Sequence, residues 1–558
     1  MNQRSTQRWG FEWVVTTILQ LLIVTVILFQ TLSIYTFPQP DGARWWGDET
    51  TQILELKSEL HDGYAHIPTG LGSSVAITNG IVRGNSWMAA IIYGVPATIL
   101  SHFTSYKDLV EIGRFVTLLL SILLYLLASR VLYGFNVQAP LRLVAVLLLI
   151  SSRSFFYASH AARLDVAAGL SVLGFVWYLT ERYNRIQRGE CSQSARWFFW
   201  YGCVALLFVT LSIHLLTLLG LLSIYALWRF GTFRHPRHLL AAAGGVIFVS
   251  GVLLSIYALS GAPWTLFGPT TKPNQFESVA SMLPIQRLFS RSVQVANILE
   301  RVSGLWKEAP AFLMLCLYAM ATGGIALRQH WRKLLSKPAP NFLPGATLTV
   351  LIAWLLFQSP ALYYYIHVLP LLIVALVVRI APRIKAGISS TIAVLVFGVL
   401  ISIASVADSL HIRRVAGAIA HDNHHELDGA VTAMRLDSPN PVPLVLAQNP
   451  AIAYLEQRTD LRLMTAHIVS FPTSNSPLAA SLQNLGVDYL LLYASHSGII
   501  YSEDYATLRP IADSIGTLIW KNPGVLFDVN RNYFDSRTLE SLPKDTLLLY
   551  RLRRNIAR

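Results

Sequence analysis

The stretch FEWVVTTILQLLIVTVILFQTLSIY occupies positions Phe11–Tyr35 and sets the class of fold. It is longer than the run of about 20 apolar residues that an α-helix needs to cross the hydrocarbon core of a bilayer. It is also too long for the core of a cleaved signal peptide, and Tyr35-Thr-Phe-Pro is a poor cleavage site. We therefore expect this segment to remain in the protein as a signal anchor.

The composition predicts that most of the chain follows the same pattern. Of its 558 residues, 53% are hydrophobic and only 13% are charged, and its mean hydropathy is +0.48. A soluble domain averages about 25% charged residues, so we predict a polytopic α-helical membrane protein. The net charge of +14 does not indicate nucleic-acid binding, because most Lys and Arg residues fall in short loops that set membrane orientation. Cys191, Cys203 and Cys316 lack metal-ligand spacing, and we expect no disulfide.

The apolar runs predict about eleven transmembrane helices. They are Phe11–Tyr35, Arg114–Leu132, Leu141–Tyr157, Val166–Thr180, Trp197–Ile213, Leu215–Trp228, Leu239–Leu259, Ala311–Ala326, Ala346–Phe357, Leu362–Val378 and Ile388–Val406. Trp87–Phe103 is also apolar but contains Gly94 and Pro96. If it crossed the membrane, Arg130 and Arg142 would lie outside, against the tendency of basic loops to remain in the cytoplasm. We therefore interpret it as a juxtamembrane or re-entrant segment.

The chain divides into two predicted parts. Residues 1–409 form a transmembrane domain with large outer loops at 36–113 and 260–310, and residues 410–558 form a soluble α/β domain. Arg4 and Arg8 place the N-terminus in the cytoplasm, so an odd number of crossings places the second domain outside. Its strands are predicted at Val442–Ala447, Leu461–Thr465, Asp488–Tyr493 and Leu547–Leu552, and its helices at Ala451–Gln457 and Leu478–Leu485.

Carboxylates lie at the predicted outer face in two places. Asp48 and Glu49 follow the first span in Arg44-Trp-Trp-Gly-Asp-Glu-Thr-Thr, and Asp165 begins the fourth span. Two carboxylates at one membrane face can supply a general base and a second electrostatic or metal-binding group. The alternative is that Asp48 and Asp165 are helix caps, Asp165 being paired with Arg163.

Several basic and aromatic residues at the same predicted face suit an anionic ligand. Arg83 lies next to a glycine in the first outer loop, and Lys272 lies in the later one. Tyr364 and His367 open the tenth span. The alternatives are contacts with lipid headgroups, an interfacial tyrosine belt and, for His367, a hydrogen bond between helices.

A second candidate for metal binding follows the last span. The sequence His421-Asp-Asn-His-His-Glu-Leu-Asp contains three histidines at approximately helical spacing. Such residues also gather at exposed helix starts, and that second interpretation is the one we favour.

These pieces together resemble the GT-C superfamily of polytopic glycosyltransferases, in particular bacterial relatives of protein O-mannosyltransferases and of lipid A aminoarabinose transferase. The resemblance lies in the acidic pair Asp48-Glu49, in Arg83 followed by Trp87, in Ala162-Arg-Leu-Asp165, in Tyr364-Tyr-Ile-His-Val-Leu-Pro370 and in the C-terminal outer domain. It covers the layout of the whole chain, but only these short stretches in residue detail. Relatives of the aminoarabinose transferases usually have a Pro-rich run where this chain has Arg83-Gly-Asn-Ser-Trp87, so the donor headgroup and the acceptor are expected to differ.

The resemblance implies an inverting hexosyl- or pentosyltransferase that uses a polyprenyl-phosphate sugar donor. The acceptor would be a hydroxyl on a glycan, lipid or protein at the extracytoplasmic face, in a bacterial inner membrane. Asp48 would be the general base, and Glu49 and Asp165 would position the acceptor, tune the base or hold a divalent cation such as Mg²⁺ or Mn²⁺. The donor phosphate would be bound by Arg83, Arg163, His160, Lys272, Tyr364 and His367.

Two other classes of protein remain as alternatives. A polytopic transporter or flippase of a lipid-linked or anionic substrate would have charges or Gly/Pro breaks in mid-span, whereas the span centres here contain few ionisable groups. A membrane-anchored binding or sensor protein would act through residues 410–558, which leaves the long first outer loop unexplained.

Overall fold

The computed structural model of the protein describes residues 2–35, 92, 95–96, 99, 106–160, 164–209, 214–259, 299, 301–304, 342–357, 362–384, 387–447, 461–465, 482, 486–494, 504–526 and 544–553. The predicted span Ala311–Ala326 lies outside these residues, and only isolated positions of Trp87–Phe103 lie within them. The number of eleven spans therefore stays a prediction.

Twelve α-helices are found in the described part of the chain. They are α1 (Asn2–Tyr35), α2 (Tyr106–Gly134), α3 (Ala139–Ile150), α4 (Arg153–Ser159), α5 (Asp165–Gln187), α6 (Ala195–Val209), α7 (His214–Arg229), α8 (Pro236–Leu259), α9 (Phe342–Phe357), α10 (Leu369–Ile380), α11 (Ile388–Asp437) and α12 (Asp504–Ile515). Short 3₁₀ helices lie at Thr232–Arg234, Leu362–His367 and Ala381–Arg383. The second of these, Leu362–His367, is called the tyrosine turn below.

Several of these helices are apolar enough to cross a membrane. Within the described residues, Phe11–Leu32, Ile112–Gly134 and Ile388–His411 meet the length and hydropathy that a span requires. Ala139–Ile150 and Arg153–Ser159 add a fourth if the two helices, bent by 73°, form one broken span. The predicted spans in the described part coincide with helices, which confirms a helical membrane protein with several apolar helices.

One end of the helix bundle is defined by Asp165 and is called the Asp165 end. Here the Gln30 side chain of α1 donates to the carbonyl of Ile150 at the end of α3 over 2.7 Å, and it lies 3.3 Å from the Ser405 hydroxyl of α11. Thr31 is 3.2 Å from His160, which ends α4. The last turns of α1 and α3 and the first turn of α5 are therefore at the same level of the bundle.

The opposite end is rich in arginine and is called the arginine end. The Arg229 side chain, in the last turn of α7, donates to the Tyr183 hydroxyl near the end of α5 over 2.8 Å. Helix termini at this end carry Arg142, Arg185, Arg229 and Arg379. Fewer of the described arginines lie at the Asp165 end, where Arg114 lies in α2 and Arg153 begins α4, and this asymmetry is the one that the basic loops predict.

Both ends of the first predicted outer loop emerge at the Asp165 end. Helix α1 reaches this end at Tyr35. Helix α2 begins there at Tyr106, because its other terminus lies beside Trp177 in the second half of α5, with the rings of Phe135 and Trp177 6.0 Å apart. The chain thus leaves and returns at one end, as the juxtamembrane interpretation of Trp87–Phe103 requires.

The C-terminal residues form a five-stranded mixed sheet. Its strands are β1 (Leu444–Ala447), β2 (Arg462–Thr465), β3 (Tyr489–Tyr493), β4 (Gly516–Leu526) and β5 (Lys544–Leu552), in the order β2-β1-β3-β5-β4. Strand β1 is parallel to β2 and β3, and β5 is antiparallel to β3 and β4. The four predicted strands are confirmed, whereas the predicted helices Ala451–Gln457 and Leu478–Leu485 lie almost wholly outside the described residues.

Strand β4 and helix α12 were not predicted from the sequence. Strand β4 contains Asn522-Pro-Gly524, a combination typical of a turn. It is nevertheless tolerated because β4 is the edge of the sheet, where an unpaired backbone group meets solvent, and the register shifts between Pro523 and Val525. Pairing with β5, not local sequence, makes this segment a strand.

Helix α11 joins the bundle to the sheet without a break. It runs from Ile388 to Asp437, about 75 Å at 1.5 Å per residue, and passes the expected boundary at 409/410. It packs on α1 and α3 in the bundle and on β4 in the sheet. At its last residue, Asp437 accepts hydrogen bonds from Tyr489 at 2.9 Å and Arg551 at 2.7 Å. The sheet is thereby held at the Asp165 end of the bundle.

Candidate functional site

The sharp bend between α3 and α4 builds the floor of the candidate site. Ser152 breaks the helix with an extended backbone, and its hydroxyl then accepts from the Phe155 backbone N–H over 3.3 Å as the N-cap of α4. On the other side of the bend, Gln30 binds the Ile150 carbonyl. A broken helix inside a bilayer needs such partners, because lipid offers none to free backbone groups. Helix α4 is buried throughout residues 154–159.

A buried acid–base pair lies above this floor. Asp165 Oδ1 is 3.3 Å from His367 Nε2, and the two side chains are 8% and 0% exposed. Asp165 is the first residue of α5, where a carboxylate complements the helix dipole. The N-cap is Leu164, not Asp165, so the alternative that Asp165 serves as a cap does not describe its position. The structure thus brings together two predicted site residues that are far apart in sequence.

Gly169 allows this pair to form. It lies one helical turn after Asp165 and faces the tyrosine turn, where an ideal Cβ would be 2.5 Å from the carbonyl oxygen of Ile366. The absent side chain lets the backbone of the tyrosine turn approach α5 and brings His367, the next residue, onto Asp165. Sequence reasoning did not single out Gly169, although its spacing of four residues from Asp165 places the two on one helix face.

The tyrosine turn is held from its other side. The Trp354 indole donates to the Tyr364 carbonyl over 3.1 Å, and the Tyr365 hydroxyl donates to the Arg301 carbonyl over 3.1 Å. Tyr364 and Tyr365 are buried, so they are not part of an interfacial tyrosine belt exposed to lipid. The rings of Tyr364 and His367 lie 5.4 Å apart, which keeps Tyr364 beside the pair.

His160 is integrated into the same region by both ring nitrogens. Its Nδ1 lies 3.0 Å from the Phe156 carbonyl and 2.8 Å from the Ser159 hydroxyl, and its Nε2 lies 3.2 Å from the Thr31 hydroxyl. Since a carbonyl only accepts, this geometry assigns the proton to Nδ1 and leaves Nε2 to accept from Thr31. For His160 to bind a phosphate through Nε2, the hydrogen bond between Nε2 and the Thr31 hydroxyl must first break.

Two buried arginines were not predicted as site residues. Arg114 of α2 is buried, and its charge acts on the His160 ring. Arg301 is also buried, and its guanidinium donates to the carbonyl of Leu355 in the last turn of α9. Cations are stabilised at a helix C-terminus by its dipole. A rule that looks for rare charges within apolar surroundings would have found Arg114, since it opens a predicted span.

The other predicted site residues lie outside the described part of the chain. They are Asp48, Glu49, Arg83, Arg163 and Lys272. The side chains of His421, His424 and His425 also lie outside it, although the backbone there belongs to α11. Among the described residues no group of three or more His, Cys, Asp or Glu side chains is arranged to hold a metal ion.

The described part of the site combines one acid–base pair with buried basic groups. Asp165 is bound to His367, and the other buried charged or titratable groups nearby are His160, Arg114 and Arg301. Fixed cations in a region with little water stabilise negative charge far more than the same groups do at a surface.

Comparison with known proteins gives the fold. The chain matches no protein-family model and no curated protein sequence. The oligosaccharyltransferase AglB from Archaeoglobus fulgidus, solved with an inhibitory peptide and a dolichol-phosphate, superposes with a TM-score of 0.50 and 10% identity over 95% of this chain and 75% of that one. The chain has the GT-C fold. This confirms the fold that the resemblance implies.

Two further solved structures align less well. ArnT from Cupriavidus metallidurans, bound to undecaprenyl phosphate, has a TM-score of 0.48 and 13% identity over 96% of this chain and 98% of that one. The Pmt1-Pmt2 protein O-mannosyltransferase of S. cerevisiae, bound to its sugar donor, has a TM-score of 0.29 and 14% identity over 43% of this chain and 33% of that one.

Proposed function

We propose that this chain is an integral membrane glycosyltransferase that moves a hexose or pentose from a polyprenyl-phosphate donor to an acceptor hydroxyl. The observation that carries the proposal is the GT-C fold shared with AglB, whose structure contains a dolichol-phosphate. The buried cationic groups around Asp165 supply independent support, because the leaving group of such a transfer is a lipid phosphate. The acceptor is a glycan, lipid or protein.

Asp48 is the proposed general base. It lies thirteen residues beyond Tyr35, the last residue of α1, and Thr31 in the final turns of that helix contacts His160. The loop bearing Asp48 and Glu49 therefore starts beside the candidate site. Asp48 would remove the acceptor proton as the oxygen attacks the anomeric carbon from the side opposite the phosphate, and a single displacement of this kind inverts the configuration. Glu49 would support the base.

Asp165 and His367 would act together on the phosphate side. The carboxylate holds the imidazole of His367 in one orientation beside the proposed site of the departing phosphate. Arg83, Arg163, His160, Lys272 and Tyr364 are proposed to complete the phosphate site. A divalent cation, such as Mg²⁺ or Mn²⁺, would bind at Asp48 or Asp165 if the reaction uses one.

The proposed orientation places the arginine end in the cytoplasm and the Asp165 end outside. The distribution of arginines over the two ends of the bundle supports it. The sheet formed by residues 444–552 would then be extracytoplasmic, above the transmembrane domain of residues 1–409. A bacterial inner membrane fits this arrangement, since it supplies polyprenyl-phosphate sugars on its outer face.

Sugar transfer from a panel of labelled polyprenyl-phosphate sugars, in membranes that contain the full chain, tests the proposal. Asp48→Asn should lower the rate by about 10²–10⁴-fold, the usual effect of losing a general base. Glu181→Gln is the matched control, because it makes the same acid-to-amide change at the arginine end, where Glu181 pairs with Arg185. Undiminished transfer by Asp48→Asn rejects the base assignment, and no transfer by the wild type from any donor rejects the function.

A further inference from the structure

The turn between α2 and α3, at the arginine end, contains two guanidinium groups on one aromatic ring. The guanidinium carbons of Arg130 and Arg142 lie 5.2 Å and 5.0 Å from the centre of the Tyr133 ring. Arg130 and Tyr133 are in the last turns of α2, and Arg142 is in the first turn of α3. This cluster is far from Asp165, and the proposed glycosyl transfer makes no use of it.

The positive charge of this cluster is not neutralised within the part of the chain that the structure describes. Neither Arg130 nor Arg142 forms an ion pair there, and the buried Nε atom of Arg142 has no hydrogen-bond partner among those residues. Other arginines at the same end differ, since Arg185 is bound by Glu181 at 3.0 Å and Arg188 by Glu190 at 2.6 Å. Two like charges on one ring without a carboxylate repel each other, and a bound anion relieves that repulsion.

The adjoining helix terminus adds to the positive potential. Helix α3 begins at Ala139, three residues before Arg142, and its N-cap Gln138 makes no side-chain hydrogen bond to the first turn, in which Pro140 has no N–H. The free backbone N–H groups of a first turn point toward an anion, and the helix dipole favours negative charge there. Pairs of guanidinium groups also bind phosphate oxygens through several parallel N–H bonds.

An exposed apolar stripe leads directly to the cluster. Leu119, Leu123 and Leu126 are 46%, 51% and 61% exposed and precede Arg130 and Tyr133 on one face of α2, at spacings of three and four residues. Arg130 lies one turn before the end of the apolar span Ile112–Gly134, about 6 Å inside it. An acyl chain along the leucines would bring a headgroup to the level of the two arginines.

We propose that Arg130, Tyr133 and Arg142 form a binding site for the phosphate of an anionic membrane lipid. The leucine stripe selects a lipid over free phosphate, because only the lipid covers exposed apolar surface as well as charge. The site lies in the leaflet at the arginine end and is independent of the proposed function. Its occupant would fix the α2–α3 turn, which joins two helices that pack on each other.

Native mass spectrometry of the full chain, purified in detergent and titrated with phosphatidylglycerol, tests this site. The wild type should retain phosphatidylglycerol in preference to phosphatidylcholine. Arg130→Gln and Arg142→Gln should each weaken that binding about fivefold, the equivalent of the roughly 1 kcal/mol that one basic residue contributes near an anionic headgroup. Arg185→Gln, which removes the same charge at the same end but from an arginine bound to Glu181, should bind like the wild type.

Three results would overturn the proposal. Unchanged phosphatidylglycerol binding by the double variant Arg130→Gln/Arg142→Gln shows that the cluster does not bind the lipid. An equal loss in Arg185→Gln shows that net charge alone is responsible. Displacement of the lipid by millimolar inorganic phosphate shows a site for free phosphate in which the leucine stripe has no part. Thermal unfolding of each variant in detergent establishes that the fold is retained before binding is compared.

Discussion

Replacing Gly169 with alanine separates the Asp165–His367 pair without touching either residue. The new methyl group would lie 2.5 Å from the carbonyl oxygen of Ile366. Carbon–oxygen contacts of this kind are ordinarily about 3.3–3.6 Å, so the tyrosine turn must move away from α5 by roughly 1 Å. His367 follows Ile366 directly and moves with it.

The size of the effect follows from the geometry of the pair. Asp165 Oδ1 and His367 Nε2 are already 3.3 Å apart, near the upper limit of a hydrogen bond. A shift of this size takes them toward about 4 Å and costs the roughly 1.5–3 kcal/mol of a hydrogen bond to a charged group. Alanine returns up to about 1 kcal/mol through its better helix propensity, so Gly169→Ala is expected to destabilise the protein by about 1–2 kcal/mol.

Two assays measure the consequence. Thermal unfolding in detergent reports the loss of stability. Single-turnover sugar transfer reports the rate, which should fall on the order of 10²-fold because a displacement of about 1 Å misplaces the pair that we propose to act beside the donor phosphate. Gly174→Ala is the control on the same helix. An ideal Cβ at Gly174 would meet its nearest neighbour, Leu127, at an ordinary 3.6 Å, so this variant should be as stable as the wild type or more so.

The result that refutes the reasoning is a Gly169→Ala protein with wild-type stability and a wild-type transfer rate. It would mean that the tyrosine turn moves without displacing His367, or that the Asp165–His367 pair contributes nothing to stability or to transfer. Equal losses in Gly169→Ala and Gly174→Ala would attribute the effect to helix α5 in general, and not to the contact with Ile366.

Three further predictions address the pair, the bend and the sheet. His367→Leu should destabilise the protein by about 3 kcal/mol, because it removes a partner of the buried Asp165 carboxylate, whereas Asp165→Asn should cost less; identical thermal unfolding of the two variants would argue against the pairing. Ser152→Ala should cost about 1 kcal/mol by removing the cap on the Phe155 N–H, again measured by thermal unfolding, with no loss meaning that the bend does not need the hydroxyl. Burial raises the pKa of Tyr489 to about 12. The neutral phenol therefore stabilises the sheet fully below pH 10, and this stabilisation should be lost as the pH rises from 10 to 12. Tyr489→Phe should remove this part of the pH dependence of unfolding.

The sequence predicted several individual residues of the candidate site, but it did not predict which residues they contact. Asp165 and His367 were selected because ionisable groups are rare in and beside apolar segments, and His160 and Tyr364 were included through the resemblance to GT-C enzymes. Their partners were not foreseen. The alternative considered for Asp165 was a helix cap paired with Arg163, and the structure places its carboxylate 3.3 Å from His367, 202 positions away in the sequence. Sequence periodicity reports which face of a helix is buried, but not which neighbour covers it.

The bend between α3 and α4 and the edge strand β4 show that local sequence also fails to predict some whole elements of secondary structure. Leu141–Tyr157 was predicted as one span because its apolar run is continuous, whereas Ser152 and the Gln30 side chain divide it into two helices at 73°. Strand β4 contains a turn-like Asn-Pro-Gly sequence and is a strand only through its pairing with β5. In both cases a partner distant in sequence overrides the local preference.

The sequence by itself determined that the chain is a helical membrane protein, where its helices lie, which end of the bundle is basic, and where four strands of the sheet run. It did so because a bilayer forces every crossing segment to be apolar and to satisfy its own backbone hydrogen bonds. Only the tertiary structure decided that Gly169 lets the tyrosine turn approach α5 and that Asp165 is bound to His367. These contacts depend on distances of a few tenths of an ångström between helices, which are set by packing and leave no periodic trace in the sequence.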